Sequence, residues 1–294
     1  MMIDPGLHSK TVLVTGANSP IGVGAAAARA FARQGAAVFL TYLRSTVEPV
    51  PGEAVAGQPS RACYERLQNA PVEPVLDGIH AQGGRAAAWE ADLANVETIA
   101  PLFDRAEAAL GPIDVLVNNA AFCESDTFLP PSVLKPGALS SGGTAIQALD
   151  PANLDRHFAV NTRAVALLMA EYVRRYCARS GTWGRIVNVS TDGADCFPGE
   201  VSYGASKHAM EGFSRSAAVE LGPLGVTVNV VALGAVQTGW ITPEIERRAV
   251  GQTPLRRIGQ PEDVADAIVF LASEQARWIT GQLLYVGGGH IMPR

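Results

Sequence analysis

The sequence has few cysteines and no excess of positive charge. Its four cysteines, Cys63, Cys123, Cys177 and Cys196, lie far apart, so neither a disulfide framework nor a zinc knuckle is indicated. The five histidines are scattered without a spacing suited to a metal. A formal net charge of −5 argues against nucleic acid or an anionic membrane as a partner. We therefore expect no metal site and a reducing, intracellular location.

Long apolar runs are also missing. The longest, around Gly225 to Val236, is interrupted by Asn229 and is too short to span a bilayer. The first ten residues lack the basic segment and apolar run of a secretory signal. With 48% hydrophobic and 17% charged residues, the chain can bury a sizeable core. We expect a globular, cytoplasmic protein that uses no membrane.

Short apolar runs rich in β-branched residues alternate with helical patterns along the chain. They predict strands over 11–15, 37–41, 85–90, 113–117, 185–189, 227–231 and 283–286. Helices are predicted over about 25–34, 96–110 and 151–179. Two more are predicted, one that contains Tyr203 and ends at 221, and one that begins at 261. Pro101 conflicts with the second helix and predicts a kink or a late start. This alternation predicts one doubly wound α/β domain over 1–294, with a seven-stranded parallel sheet of Rossmann type.

Two segments, 45–75 and 122–149, depart from this alternation. The first is rich in Pro, Gly and Glu, and the second in Ser, Gly and Pro. Neither has a clean helical or strand period. We interpret both as irregular excursions from the single domain.

Tyr203 and Lys207 are four residues apart in a stretch with a helical pattern, which places the phenol and the ammonium on one face. A free tyrosine has a pKa of about 10, and a neighbouring cation favours the phenolate and lowers that pKa. Such a tyrosine can exchange a proton with a carbonyl or alcohol oxygen. The alternative is an ordinary pair on a solvated helix.

A glycine-rich turn, Gly16 to Gly24, follows the first strand and leads into an alanine-rich helix. A strand, a glycine turn and a helix aim backbone N–H groups and the positive helix end at a phosphate. A glycine loop that merely packs is the alternative for this motif alone.

Taken together with further motifs, these features resemble the short-chain dehydrogenase/reductase family over nearly the whole chain. Three departures stand out: the glycine turn is two residues longer than usual, Ala121 replaces a glycine, and Leu233 replaces a proline. The further motifs are Asp92-Leu93 after the third strand, Asn118-Asn119-Ala120-Ala121 after the fourth, Asn161 in a long helix, Ser190-Thr191 after the fifth strand, and Gly234, Val236 and Thr238 after the sixth.

The resemblance implies a bound nicotinamide dinucleotide. The second strand ends in Thr41-Tyr42-Leu43-Arg44, without the acid that binds the ribose 2′-hydroxyl of NAD, so NADP is favoured with Arg44 as its phosphate partner. NAD stays open, since Arg44 could equally be a surface charge. The residues that the resemblance implies for cofactor binding are Gly16, Asn18, Gly22, Val23, Gly24, Arg44, Asp92, Leu93, Asn119, Ala120, Ala121, Tyr203, Lys207, Gly234, Val236 and Thr238.

The resemblance also implies reversible reduction of a ketone by hydride. Tyr203 would be the general acid, Lys207 would lower its pKa and hold the nicotinamide ribose, and Asn161 would support a proton relay. The hydroxyl that orients the carbonyl is Thr191 or Ser190. Counting along the fifth strand selects Thr191, whereas counting back from Tyr203 selects Ser190. Thr191 is preferred because strand register is rigid, while the following loop can lose a residue.

The resemblance also implies a small carbonyl or alcohol substrate, whose identity the sequence leaves open. Within the family, the chain most resembles the 3-oxoacyl-carrier-protein reductases. The alternative functions are those of an epimerase, a dehydratase or a non-catalytic cofactor-sensing protein. We expect the substrate between segments 122–149 and about 238–256, with Phe122, Phe128, Trp240 and Ile241 as candidate lining. The family implies a homodimer or homotetramer formed through the two long helices.

Overall fold

The computed structural model describes residues 4–44, 58–135, 137–140 and 142–292. Within these ranges the main sheet is entirely parallel, and its strand order β3-β2-β1-β4-β5-β6-β7 reverses direction between β1 and β4. This is the seven-stranded doubly wound sheet that the sequence predicts. Its strands are β1 Thr11–Thr15, β2 Ala37–Tyr42, β3 Arg85–Glu90, β4 Val115–Asn118, β5 Gly184–Thr191, β6 Val226–Leu233 and β7 Leu283–Val286.

Helices connect the strands and cover both faces of the sheet. On one face α1 packs against α3 and α9, while α4, α6 and α7 cover the other face. Because the central strands are covered on both sides, β1 and β4 are buried along their whole length. In the described residues the α-helices are α1 Val23–Arg33, α2 Arg61–Gln68, α3 Glu73–His80, α4 Ile99–Leu110, α5 Pro151–Phe158, α6 Val165–Ala178, α7 Val201–Leu221, α8 Pro243–Gln252 and α9 Pro261–Ala272.

Two of the predicted helices differ from the expectation. A 3₁₀ turn over Val96–Thr98 precedes α4, so Pro101 lies in the first α-helical turn, where its missing N–H costs no hydrogen bond. This is the late start rather than the kink. The helix predicted over 151–179 is divided by a π-helical turn, Ala159–Ala164, between α5 and α6.

The two irregular segments are more ordered than the sequence indicates. Residues 45–57 lie outside the described ranges, but the rest of segment 45–75 contains α2 and the start of α3. The Ser60 hydroxyl caps α2 by accepting a hydrogen bond from the Cys63 N–H, a short-range signal that the periodicity analysis missed. In segment 122–149, Asp126–Thr127 pairs with Gln147–Ala148 in a small parallel sheet.

Across the described ranges, no helix combines the length and the apolar character that crossing a bilayer requires.

Candidate active site

The carboxyl ends of the central strands bring most of the predicted residues to one edge of the sheet. β5 ends at Thr191 and β6 at Leu233, and these two residues are partners in the sheet register. α7 returns to the same edge, with Tyr203 in its first turn. This is the edge at which open α/β sheets bind their ligands.

Tyr203 and Lys207 lie on one face of α7, as their spacing predicts. The Lys207 ammonium nitrogen is 5.9 Å from the centroid of the Tyr203 ring. It donates a hydrogen bond of 2.8 Å to the main-chain oxygen of Val189 in β5. Lys207 is almost completely buried, and this burial lowers its pKa to about 8.

The pKa of Tyr203 is shifted in the direction opposite to the one that the sequence predicts. Burial among neighbouring side chains raises the pKa of this phenol well above its usual range, and the negative charges that Cys123 and Glu200 can carry add to the effect. Desolvation is the largest cause of this shift, and the Lys207 ammonium donates its hydrogen bond to Val189. Tyr203 therefore keeps its proton at neutral pH.

Asn161 lies in the π-helical turn between α5 and α6 and has no solvent exposure. Its side-chain oxygen accepts a hydrogen bond from the Phe122 N–H at 2.9 Å, and its amide nitrogen donates to the Phe122 oxygen at 2.8 Å. The same nitrogen donates to the Ser206 hydroxyl at 3.0 Å. Asn161 therefore joins the segment after β4 to α7, directly beside Lys207.

Ser190 and Thr191 have different partners. The Ser190 hydroxyl donates to a carboxylate oxygen of Glu211 in α7 at 2.5 Å, and both side chains are buried. Thr191 is partly exposed, and its hydroxyl accepts a long hydrogen bond of 3.3 Å from the Gly193 N–H. The hydroxyl proton of Thr191 is therefore available to another acceptor, whereas that of Ser190 is engaged.

The glycine turn is held against the end of β4. Gly16 has a φ of +69°, and a Cβ there would lie 2.8 Å from the Cα of Ala120. The Asn119 amide donates to the oxygens of Thr15 and Gly16 at 2.9 Å each. The Ala120 N–H donates to the Thr15 hydroxyl, while Ala121 is exposed. Asn119 and Ala120 thus fix the turn itself.

The start of α1 fits a phosphate-bearing group. Gly22 is its N-cap, no side chain caps this helix end, and Val23 and Gly24 form the first turn. A side chain on Gly24 would collide with the main-chain oxygen of Gly16. The Ser19 hydroxyl beside them is buried without a hydrogen-bond partner. A bare helix N-terminus, close backbone approach and an orphaned hydroxyl are what a bound phosphate would use.

Asn18 contacts the protein rather than open space. Its amide donates to the main-chain oxygens of Gln68 at 2.7 Å and Ala70 at 3.0 Å. At the other end of α2, the Ser60 N–H donates to the Gly239 oxygen at 2.9 Å. α2 therefore extends from the glycine turn to the turn after β6, a contact that the irregular sequence of segment 45–75 did not predict.

Residues at the ends of β2 and β3 form the outer part of this edge. Arg44 forms a two-point ion pair with Glu90, the last residue of β3. Asp92 accepts a hydrogen bond from the Ala94 N–H at 2.8 Å, so it caps the turn after β3 rather than a helix. Leu93, the next residue, is buried.

The turn after β6 is also close-packed. A Cβ on Gly234 would lie 2.7 Å from the Cα of Gly287, which follows β7. Val236 is buried and forms an isolated bridge with Gly259, and Thr238 is partly exposed. Leu233 stands in place of the proline that is usual in the family, and contacts with Gly287 and Gly259 hold this turn instead.

Several side chains around Tyr203 were not predicted from the sequence. The rings of His157 and Phe197 lie 6.3 and 6.0 Å from the Tyr203 ring. Glu200 is buried and approaches the Cys123 sulfur at 3.8 Å. Burial lowers the pKa of His157, so its imidazole is neutral at pH 7. Of these side chains, Glu200 alone could have been expected near Tyr203 from the sequence, because it lies only three residues before it.

The described residues contain one group of side chains that could hold a metal, although no spacing in the sequence indicates it. Asp195, His208 and Glu211 have ligand atoms within 4.8 Å of one another. Glu211 is engaged by Ser190, and Asp195 and His208 are exposed. We assign no metal to this group, because exposed acidic groups often occur without one.

Known proteins are similar to this chain along nearly its whole length. Residues 53–290 match the family model described as Enoyl-(Acyl carrier protein) reductase. The chain is 34% identical to the uncharacterized oxidoreductase YjdA of Bacillus subtilis, with 97% of this chain and 98% of that protein covered. The chain belongs to the short-chain dehydrogenase/reductase family.

A further relative and a solved structure agree with this family. The 3-oxoacyl-[acyl-carrier-protein] reductase FabG of Aquifex aeolicus is 31% identical, with 96% of this chain and 98% of that protein covered. A short-chain dehydrogenase/reductase from Serratia marcescens aligns with a TM-score of 0.75 and 27% identity, covering 97% of this chain and 98% of the other. This member of the family is an NAD(P)-dependent oxidoreductase with a Rossmann-type fold.

Proposed function

We propose that this dehydrogenase/reductase interconverts a ketone and a secondary alcohol, with NADP(H) as its preferred dinucleotide. The proposal depends on one observation above all. Tyr203 and Lys207 share a face of α7 at the carboxyl edge of the sheet, with the ammonium 5.9 Å from the phenol ring. The dinucleotide supplies or accepts the hydride, and the chain's residues provide binding, orientation and the proton.

The residues proposed to hold the dinucleotide are those that border the glycine turn. The start of α1, with Gly22, Val23 and Gly24, would receive the phosphates. Gly16 and Asn119 keep that turn close to β4, and Asn18 links it to α2. Asp92 and Leu93 would border the adenine. On the other side, the proposed contacts are Gly234, Val236 and Thr238, with Ala120 and Ala121 between the two turns.

Tyr203 is proposed as the general acid in the direction of ketone reduction. Its raised pKa keeps the phenol protonated, which is the state that donates a proton to a carbonyl oxygen. Lys207 would bind the nicotinamide ribose by donating hydrogen bonds from its ammonium group, which the Val189 oxygen already orients. In the reverse direction Tyr203 would first lose its proton, and its phenolate would then accept the proton of the alcohol.

Thr191 is proposed as the hydroxyl that orients the substrate carbonyl, in preference to Ser190. A hydrogen bond to a substrate oxygen requires a hydroxyl proton that no stronger acceptor has taken. The Ser190 proton is directed to the Glu211 carboxylate, whereas Thr191 only accepts, from Gly193. This difference supports the strand-register count over the count from Tyr203.

Asn161 is proposed to support the proton relay through the main chain around it. A π-helical turn releases main-chain groups from the regular hydrogen-bonding pattern, and such turns are frequent at functional sites. The side chain of Asn161 is fully used by Phe122 and Ser206, so it fixes the position of the turn.

We also propose a homodimer or homotetramer in which α6 and α7 meet their symmetry copies. Leu167 on α6 and Phe213 and Val219 on α7 are apolar and exposed, with Val219 at 78%. Light scattering of the purified protein tests this proposal, and a monomer at micromolar concentration would contradict it.

The decisive experiment is a screen for NADPH oxidation against a panel of ketones, including 3-oxoacyl thioesters. Consumption of NADPH that requires both the ketone and Tyr203 supports the proposal. Conversion of a substrate without net NADPH consumption would instead indicate an epimerase or a dehydratase. Dinucleotide binding without turnover on any carbonyl compound would indicate a cofactor-sensing protein.

A further inference from the structure

Arg44 and Glu90 form a well-defined pair at the outer edge of the sheet. The Nε atom of Arg44 lies 3.1 and 3.0 Å from the two carboxylate oxygens of Glu90, and Nη2 lies 2.7 Å from Oε2. The main-chain N–H of Arg44 donates to Glu90 as well, at 3.0 Å. Glu90 therefore fixes both the side chain and the backbone of Arg44.

This pair lies where a dinucleotide would carry its adenosine ribose. Glu90 is the register partner of Tyr42, the last residue of β2, so both strands end at the same level. The oxygen of Thr41 accepts hydrogen bonds from the N–H groups of Gly16 and Ala17, which ties the end of β2 to the glycine turn. The ribose binds beside that turn in dinucleotide-binding sheets.

The ion pair uses the part of Arg44 that a phosphate would need. An arginine binds a carboxylate or a phosphate through two parallel N–H donors, and here Nε and Nη2 are both directed at Glu90. A carboxylate at this position also repels a 2′-phosphate and can accept a hydrogen bond from a free 2′-hydroxyl. Glu90 thus places at the end of β3 the negative charge that the sequence lacks at the end of β2.

We propose that Glu90 is a specificity-determining residue for the dinucleotide: by holding Arg44 in a two-point ion pair, it weakens the binding of NADP(H) relative to NAD(H). This inference rests on the proposed function, in which Arg44 is the partner of the 2′-phosphate. The chain is then a dual-specificity enzyme in which the ion pair with Glu90 restrains the NADP preference that Arg44 confers.

The test compares the dissociation constants of NADPH and NADH, measured from nicotinamide fluorescence, in the wild type, in four variants and in one control variant. Glu90→Gln and Glu90→Ala should raise the affinity for NADPH relative to NADH at least tenfold, and Arg44→Gln should lower it. In the Arg44→Gln background, Glu90→Gln should change the ratio less than threefold. The fold should survive, because exposed ion pairs contribute little to stability.

Glu73→Gln is the matched control. The negative charge of Glu73 also raises the pKa of Arg44, but no hydrogen bond joins the two side chains among the described contacts. Removing this charge should change the ratio less than threefold. An unchanged or lowered ratio in both Glu90 variants would overturn the inference. Failure of the wild type to bind either dinucleotide would refute the proposed function instead, and binding without ketone turnover would refute the ketone activity alone.

Discussion

The Ser190 hydroxyl donates its proton to the Glu211 carboxylate at 2.5 Å, inside the contact between β5 and α7. Burial raises the pKa of Glu211, and the hydrogen bond from Ser190 opposes that shift. The interaction therefore supports a structural role for Ser190. Thr191, the next residue, is the hydroxyl that we propose for the site.

We expect Thr191→Ala and Ser190→Ala to have different effects. Thr191→Ala should lower kcat by about 10²-fold with little loss of stability, as removal of one donor to a reacting oxygen does. Ser190→Ala should lower the free energy of unfolding by about 1–3 kcal/mol, because it leaves a buried carboxylate oxygen without its donor. Steady-state kinetics and urea denaturation measure the two effects. A larger loss of kcat in Ser190→Ala would reverse the assignment.

Tyr203→Phe should bind the dinucleotide with nearly unchanged affinity and lose turnover by about 10²- to 10⁴-fold, because it removes only the proton donor. Fluorescence titration and kinetics provide the two readouts. Tyr176→Phe is the matched control, since the Tyr176 hydroxyl donates to the Leu224 oxygen away from the site. It should keep full activity. Turnover retained in Tyr203→Phe would rule out this residue as the acid.

The buried ammonium of Lys207 predicts a pH dependence of stability. Its pKa is lowered from 10.5 to about 8, so between these values the unfolded chain holds a proton that the folded chain has lost. The contribution of Lys207 to stability is therefore lowest below pH 8 and rises toward pH 10.5, by up to about 3 kcal/mol at 1.36 kcal/mol per pKa unit. The difference in unfolding free energy between wild type and Lys207→Met, followed over that range, should rise accordingly. A flat difference would show that the lysine is not desolvated.

Asn161→Ala should lower the free energy of unfolding by at least about 2 kcal/mol, because the N–H and oxygen of Phe122 would both lose their partner. Turnover should fall too, since the turn beside Lys207 is released. Asn153→Ala, which removes a single hydrogen bond of 3.2 Å to Asp126, is the control and should have a smaller effect. Equal losses in the two variants would argue against a special role for Asn161.

α2 should respond to the dinucleotide. It contacts both turns that border the proposed binding edge, through Asn18 and through Gly239. We expect amide hydrogen exchange in 61–68 to slow when NADPH is bound, while exchange in α9 stays unchanged, because α9 packs against α1 and the sheet. Asn18→Ala should speed exchange in α2 without ligand. If neither NADPH binding nor Asn18→Ala changed the exchange rate in α2, this helix would not be coupled to the binding site.

The family and the sheet could be predicted because they depend on local patterns. Buried parallel strands appear as apolar runs in the sequence. Glycine is required where two backbone segments approach closely, as they do at Gly16 and Gly24. The spacing of Tyr203 and Lys207 fixes their common helix face whatever lies around them. Helical and strand periods therefore predicted the fold and the helix face that Tyr203 and Lys207 share.

Tertiary structure alone decided the electrostatics and the partners. A sequence shows that Lys207 lies one turn from Tyr203, but the pKa of each depends on how many atoms exclude water from it, and here that burial reverses the expected shift of Tyr203. The pairing of Arg44 with Glu90 joins residues on different strands, which no local pattern links. Helix α2 meets the glycine turn only once the chain is folded. Periodicity is set by neighbours along the chain, whereas charge, burial and hydrogen-bond partners are set by neighbours in space.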